Sequence, residues 1–456
     1  MSSKDLSKDF TAGSIPRQLF VFALSFMLSN ALLVLYSTVD MIIVGNFVGT
    51  EGLSAVSQSS QIINFAIMLT LGFSNAGQVL ISQALGAGKR YELNKIIGTL
   101  FSFVTVLAIG LSVAVVSLHY PILKLIKVPD ESFSMAVEYL IICGAGFIFA
   151  AGYNLVSAVL RGMGDAKRPL LFIGIATVVN IVFDLLFTGA LGLGVAGAAW
   201  ATVLGQAASF LFSIYYLFRH KESFGFDFKP SSFRMNGKTT RLIAKLGIPM
   251  AVQSGFINVS MLFVSALIND AGVVFSATFG VGVRIDDIIN KISQGIQYAA
   301  TPMISQNIGA GNHKRVRRVV YWAWCFSFVI TAFFMLLYLL FGEQLFMAFS
   351  DDTEVHKMAG VFVSAILWMF PAFAFMRGSG AFISGAGCAK LNMVLAMLDG
   401  VVLRIGLSFL FGKVFDFGFY GYVLGYALAP YGYAVPSVLY FLFGRWHKNK
   451  TLADDM

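Results

Sequence analysis

Long apolar stretches separated by short polar ones run the length of this chain. Twelve of them lie near 17–43, 53–83, 94–118, 133–160, 168–189, 196–218, 244–268, 273–305, 316–341, 356–384, 391–412 and 421–444. Each is long enough to cross a bilayer as a helix, which takes about 20 apolar residues. The pattern predicts an all-α polytopic membrane protein with twelve transmembrane helices. The long polar interruption at 219–243 divides the chain into an N-terminal six-helix lobe (1–218), this linker, a C-terminal six-helix lobe (244–446) and a tail (447–456). Six helices per half keep both halves in one orientation. That is the parallel-repeat arrangement, with substrate bound near the midplane between the lobes.

The halves are also related in sequence. Ile81-Ser82-Gln83-Ala84-Leu85-Gly86-Ala87-Gly88 returns 223 residues later as Ile304-Ser305-Gln306-Asn307-Ile308-Gly309-Ala310-Gly311, identical at six of eight positions. The same offset pairs Ala158, Gly162, Gly164, Ala166 and Lys167 with Ala381, Gly385, Gly387, Ala389 and Lys390. One register held over such a distance indicates a duplicated, pseudo-symmetric half.

Composition agrees: 57% of the 456 residues are apolar and 12% charged, about half the usual charged fraction. The net charge of +9 does not indicate nucleic acid. With both termini on the cytoplasmic side, the outer segments hold only Lys124, Lys127, Lys357 and Lys413, and most other basic residues fall inside. That is the positive-inside asymmetry; it predicts a multi-pass protein of the cytoplasmic membrane with no nucleic-acid partner. The outer loop around 342–355, with Glu343, Asp351, Asp352 and Glu354, is too short for a soluble catalytic module. Gly86-Ala87-Gly88-Lys89 lacks the spacing of a phosphate-binding loop. No cleavable signal peptide is read at the N-terminus, and Cys143, Cys325 and Cys388 have no metal-ligand spacing.

The candidate chemistry lies in acids placed within apolar helices. A carboxylate at mid-bilayer costs about 2.5–3.5 kcal/mol to insert, which marks it as functional by default. Asp40 follows Tyr36 by one turn, and Asp184 follows Asn180 by one turn. The repeat places Phe263 and Leu407 opposite these two acids. Two carboxyls with a neutral amide suit a hard monovalent cation or a shared proton. Thr202 and Asn154 are weaker candidates, and periodicity alone selects neither. In the second half Arg284, Asp287 and Lys291 share one helix face, beside Asp286. They form either a self-neutralised structural network or a gating network that touches substrate. Arg404 lies near the counterpart of Asn180, with Arg377 and Asp399 as possible partners.

The motifs together resemble those of the multidrug and toxic compound extrusion (MATE) transporters, in particular the bacterial branch. They are Leu35-Tyr36-Ser37-Thr38-Val39-Asp40, the two glycine motifs above, Leu160-Arg161-Gly162-Met163-Gly164-Asp165, Asn180-Ile181-Val182-Phe183-Asp184 and Gly194-Val195-Ala196-Gly197-Ala198-Ala199-Trp200-Ala201-Thr202. The resemblance covers nearly the whole chain. It implies two six-helix lobes in a V, not an enzyme, that exchange organic cations for H+ or Na+. It further implies that Asp40, Asn180, Asp184 and Thr202, with Asn154 nearby, form the cation site and would ligate Na+ in a sodium-coupled member. Two departures stand out: Ala23-Leu24-Ser25-Phe26 lacks the family's early proline, and the seventh span carries Gln253 and Asn258 without the glutamate some members use.

The resulting expectation is a monomeric secondary antiporter in membrane lipid. It would expel lipophilic, mostly cationic small molecules by alternating access, with H+ or Na+ as coupling ion and no other cofactor. Tyr36, Gln253, Asn258, Arg284, Asp286 and Asp287 are candidates to line the substrate cavity. The alternative is a flippase for lipid-linked or anionic cargo, which requires Arg284, Lys291, Arg377 and Arg404 to point inward.

Overall fold

The computed structural model describes residues 8–350, 352–448 and 450–456. Residues 1–7 of the N-terminal stretch, Asp351 of the loop at 342–355 and Asn449 of the tail lie outside it. The described residues form helices joined by turns and short connecting segments, with no strand. The main helices are α1 (Ile15–Phe47), α2 (Thr50–Gly86), α3 (Leu93–Ser117), α4 (Asp130–Ala145), α5 (Phe147–Gly162), α6 (Lys167–Asp184) and α7 (Gly194–Arg219). They continue with α8 (Gly237–Ala271), α9 (Val273–Gly309), α10 (His313–Met347), α11 (Thr353–Ile366), α12 (Met369–Gly385), α13 (Ala389–Met397), α14 (Gly418–Leu428) and α15 (Tyr431–Phe443).

Among the described residues, eight helices are long and apolar enough to cross a membrane, and eleven spans result if each of three bent pairs counts as one. The remaining expected span is α9. It is 37 residues long, but Arg284, Asp286, Asp287 and Lys291 interrupt its apolar run, so length rather than composition marks it as a crossing.

The duplication is visible in local geometry. Gly88 and Gly311 both take positive φ, at 72° and 69°. In each case the following amide closes the helix, Lys89 N to Ala84 O at 2.9 Å and Asn312 N to Asn307 O at 2.8 Å. This helix ending needs a left-handed residue, and glycine adopts it without a Cβ clash. Ser82 Oγ donates to Gly162 O at 2.8 Å, and Ser305 Oγ donates to Gly385 O at 3.1 Å. A methyl on Gly162 would sit 3.0 Å from Gln78 O, and one on Gly385 2.9 Å from Thr301 O. All these pairs are 223 residues apart. The α4–α5 pair bends by 47° and the α11–α12 pair by 49°. Pro371 follows the second bend, whereas Ile148 occupies the matching place after the first, so proline is not what bends them. Pro249 and Pro302 lie inside continuous helices.

The chain forms two compact units, one built on Leu28–Ala251, the other on Phe10–Met27 and Val252–Asp455. Helices α1 and α8 therefore each contribute to both. The first unit packs around Val44, Val56, Ile63, Val115, Leu140 and Phe147. The second packs around Phe279, Ile285, Tyr338, Phe362, Phe370 and Tyr426. Segment 219–243 docks on the first unit, where Asn94 Nδ2 donates to Ser232 Oγ at 3.1 Å and Phe226 stacks on Phe101. In the second unit Arg315 grips the strand of chain before α1, donating to Phe10 O at 2.9 Å, Ala12 O at 2.7 Å and Gly13 O at 2.9 Å.

Candidate functional site

Three helices of the first unit bring the acidic candidates together. Asp165, between α5 and α6, caps α6 by accepting from Lys167 N at 3.1 Å and Arg168 N at 3.2 Å. Burial raises its carboxyl above the ordinary range, and the Arg168 guanidinium opposes that shift. Anchored in this way, α6 runs to Asp184, its last α-helical residue, after which Leu185–Ala190 winds as a π-helix. Such local π winding is rare and frequent at functional sites. Helix α7 lies against α6 where Gly205 faces Asn180, since a methyl on Gly205 would stand 2.9 Å from Ala176 O and 3.1 Å from Asn180 Cβ. Thr202, one turn earlier on α7, accepts a hydrogen bond from Tyr36 OH of α1 at 3.2 Å.

Asp40 and Asp184 lie within electrostatic range of each other, and Asn180 approaches Asp184. Asn180 and Asp184 are wholly buried; Asp40 and Thr202 are nearly so. Among the described residues, Asp40 Oδ1, both Asp184 oxygens and both Asn180 amide atoms are buried without a hydrogen-bond partner. A buried polar atom left unpaired costs about 1–3 kcal/mol, more if charged, and native structures rarely tolerate several together. The donor set, two carboxyls, an amide and a hydroxyl, matches what a proton or a hard monovalent cation requires. Among the described residues no three His, Cys, Asp or Glu side chains gather as metal ligands.

The other candidates are placed differently. Asn154 donates to Ala150 O of its own helix at 2.9 Å. A groove of about 760 Å³ runs between α1 and α6, lined by apolar residues including Leu32, Leu35, Ile175 and Val179. In the second unit Asp287 pairs with Lys291 at 2.7 Å on an exposed face, and Arg284 is exposed. Asp286 turns inward and accepts from Tyr338 OH at 2.8 Å. Arg404 pairs with Asp399 at 2.9 Å, both buried. Arg377 donates to Asn290 Oδ1. Asn258 donates to Ser254 O at 2.8 Å. Gln253 joins a network the sequence did not signal: it accepts from Asn392 Nδ2 at 2.8 Å, and Asn392 accepts from Tyr433 OH. Nothing in the linear pattern distinguishes Asn392 or Tyr433 from neighbouring polar residues.

An all-helical, internally duplicated protein with eleven apolar spans, and unpaired acids buried in one half, belongs to the class of polytopic membrane transporters. The MatE family model matches residues 26–186 and 248–410, and this chain belongs to that family, which consists of transporters and not enzymes. It is 30% identical to "Probable multidrug resistance protein YpnP" of Bacillus subtilis (strain 168), over 98% of this chain and 99% of that one. It is 25% identical to "Probable multidrug resistance protein NorM" of Thermotoga maritima, over 96% and 94%. Among solved structures, one described as the outward-facing conformation of a multidrug resistance MATE family transporter of the MOP superfamily matches with a TM-score of 0.89. It is 21% identical and covers 97% of this chain and 98% of that one. A crystal structure of MATE in the bent conformation matches with a TM-score of 0.88 at 22% identity, over 96% of both chains. The structural likenesses establish the fold.

Proposed function

We propose that this chain is a secondary antiporter of the cytoplasmic membrane, with both termini inside, that expels lipophilic cationic small molecules in exchange for H+ or Na+. One observation carries the reading: Asp40, Asn180 and Asp184 are buried together with five polar atoms unpartnered among the described residues. A proton or sodium ion taken up by the acid pair gives the unpartnered oxygens a positive partner and disfavours a bound organic cation. Release of the ion on the inner side restores the negative charge that attracts the next cation. The apolar groove between α1 and α6 suits the hydrophobic body of such a substrate. The relatives named for multidrug resistance support drug-like small molecules as cargo.

For a monovalent cation exchanged against one H+ or Na+ no net charge crosses, so the ion's concentration gradient supplies the drive, about 1.4 kcal/mol and a tenfold substrate ratio for each tenfold ion gradient. The flippase alternative requires free positive charge. Of the four cations it needs, Arg404 is neutralised by Asp399, Lys291 is paired with Asp287 and Arg377 is engaged by Asn290, leaving Arg284 alone, which favours the antiporter.

The test is dye efflux from inverted vesicles under separately imposed proton and sodium gradients, with Asp40→Asn as the variant. Gradient-driven accumulation should vanish in the variant and respond to one of the two ions in the parent. Full wild-type accumulation by Asp40→Asn would refute the reading.

A further inference from the structure

The second unit holds a buried acid that this exchange leaves unused. Asp286 of α9 is 3% exposed and Tyr338 of α10 is 1% exposed. Tyr338 OH donates to Asp286 Oδ1 at 2.8 Å, while Oδ2 is buried with no partner among the described residues. Tyr338 is part of an apolar core that also contains Ile285 and Ile289, the near neighbours of Asp286 on α9.

The internal repeat shows that the fold does not need an acid there. With the 223-residue offset, Asp286 corresponds to Ile63 and Tyr338 to Val115. Both belong to the apolar core of the first unit. One repeat thus fills this position with two hydrocarbon side chains, and the other with a carboxyl and a phenol. The reverse holds at Asp40 and Asp184, which correspond to Phe263 and Leu407. Each unit has acids where the other has apolar residues. A buried carboxyl that packing does not require is costly, and in a membrane protein it marks function.

The groups facing Asp286 are few. Besides Tyr338 on α10, Tyr426 on α14 lies within electrostatic range, and Arg404, already paired with Asp399, sits 5.2 Å from that ring's centroid. On its own helix, Asp287 points outward to Lys291. Helix α12 contributes Phe370 to this core and carries Arg377, which donates to Asn290. Helix α11 contributes apolar side chains, among them Ala359, Phe362 and Ile366. Among the described residues no basic group makes an ion pair with Asp286.

We propose that Asp286 and Tyr338 form a second proton-binding site, located in the second unit and independent of the Asp40–Asp184 pair. The proton is taken from water onto Oδ2, while Tyr338 keeps its own proton and donates to Oδ1. The neutral acid is then compatible with the closed apolar core. The ionised acid, with one hydrogen bond, demands water or rearrangement of the helices around it. Protonation of Asp286 therefore biases the second unit between a dry and a hydrated packing.

The experiment is pH-difference infrared spectroscopy on the purified full-length protein in lipid, following the C=O stretch of protonated carboxyls. A band that grows on acidification should be lost in Asp286→Asn and persist in Asp40→Asn/Asp184→Asn. It should move to higher frequency in Tyr338→Phe, because one hydrogen bond to the carboxyl is removed. A difference spectrum left intact by Asp286→Asn overturns the proposal. If that variant does not fold, Tyr338→Phe decides alone: a band at unchanged frequency overturns the proposal. Because the readout is spectroscopic, it stands even if Asp40→Asn shows the antiport reading to be wrong.

Discussion

Asp399 and Arg404 allow a stability prediction to be worked from their surroundings. Their side chains are 2% and 9% exposed, and Asp399 Oδ1 meets Arg404 Nη2 at 2.9 Å. Five residues turn an α-helix by about 140° beyond a full turn, which would place the two on different faces. Here the stretch Leu398–Ile405 is π-helical, and i→i+5 winding brings both side chains to one face. Arg404 also reaches Met261 Sδ at 3.4 Å, and its Nε is unpartnered among the described residues. Asp399→Asn therefore leaves a buried guanidinium without a counter-ion, at a cost of about 3–5 kcal/mol. Arg404→Met leaves the carboxylate stranded at a similar cost. The double variant retains no buried charge, so its cost should fall short of the sum by about 2–3 kcal/mol. Unfolding of the purified proteins in mixed micelles, run as a double-mutant cycle, measures this. Single variants as stable as the parent, or costs that add without shortfall, would refute the reasoning.

Four further outcomes are expected. Asp184→Asn removes a buried carboxyl with two unpartnered oxygens, so its melting temperature should match or exceed the parent's while substrate accumulation under a tenfold ion gradient falls by about tenfold; a lower melting temperature argues against unpaired charge there. Gly425→Ala places a methyl 2.2 Å from Ser408 N and should cost about 1–3 kcal/mol, whereas Gly110→Ala, with nothing within 4 Å of its methyl, should stay within about 1 kcal/mol of the parent; calorimetry of both variants separates crowding from helix propensity. Arg315→Ala removes the guanidinium that holds Phe10, Ala12 and Gly13, and amide exchange of that segment should rise by about 10–100-fold. In the polar segment 219–243, the Ser232 hydroxyl first, and then the Lys229 amide, hold the Asp227 carboxyl below its ordinary 3.8. A depressed value means the contact is complete above pH 3.8 and is lost as pH falls through the lower folded value. A nitroxide at Ser231→Cys should therefore gain mobility in acid in the parent and show no such step with Asp227→Asn.

Much of the fold was legible because its signals are local. Apolar length sets the helices, and the paired glycine motifs set the repeat. Gly88 and Gly311 then end their helices with the same left-handed turn. The acids were legible for a related reason, since a carboxylate inside an apolar run is conspicuous whatever surrounds it. What the carboxylate meets is a different matter. Thr202 and Asn154 were equivalent by pattern, yet Thr202 accepts from Tyr36 whereas the Asn154 amide returns to Ala150 of its own helix. Asp286 and Asp287 are adjacent in the chain, and the packing of α9 sends one into the core and the other to an exposed ion pair.

The sequence by itself determined that this is a duplicated helical membrane protein of the MatE family, with its acids unequally shared between the halves. Periodicity and composition act within a single helix, so they suffice for that much. The tertiary structure decided that Asp40, Asn180 and Asp184 meet, that α1 and α8 each contribute to both compact units, and that π winding brings Arg404 onto Asp399. Each of these depends on how helices distant in the chain are rotated and staggered against one another. That is set by close approaches such as Gly205 on Asn180, which no single stretch of sequence contains.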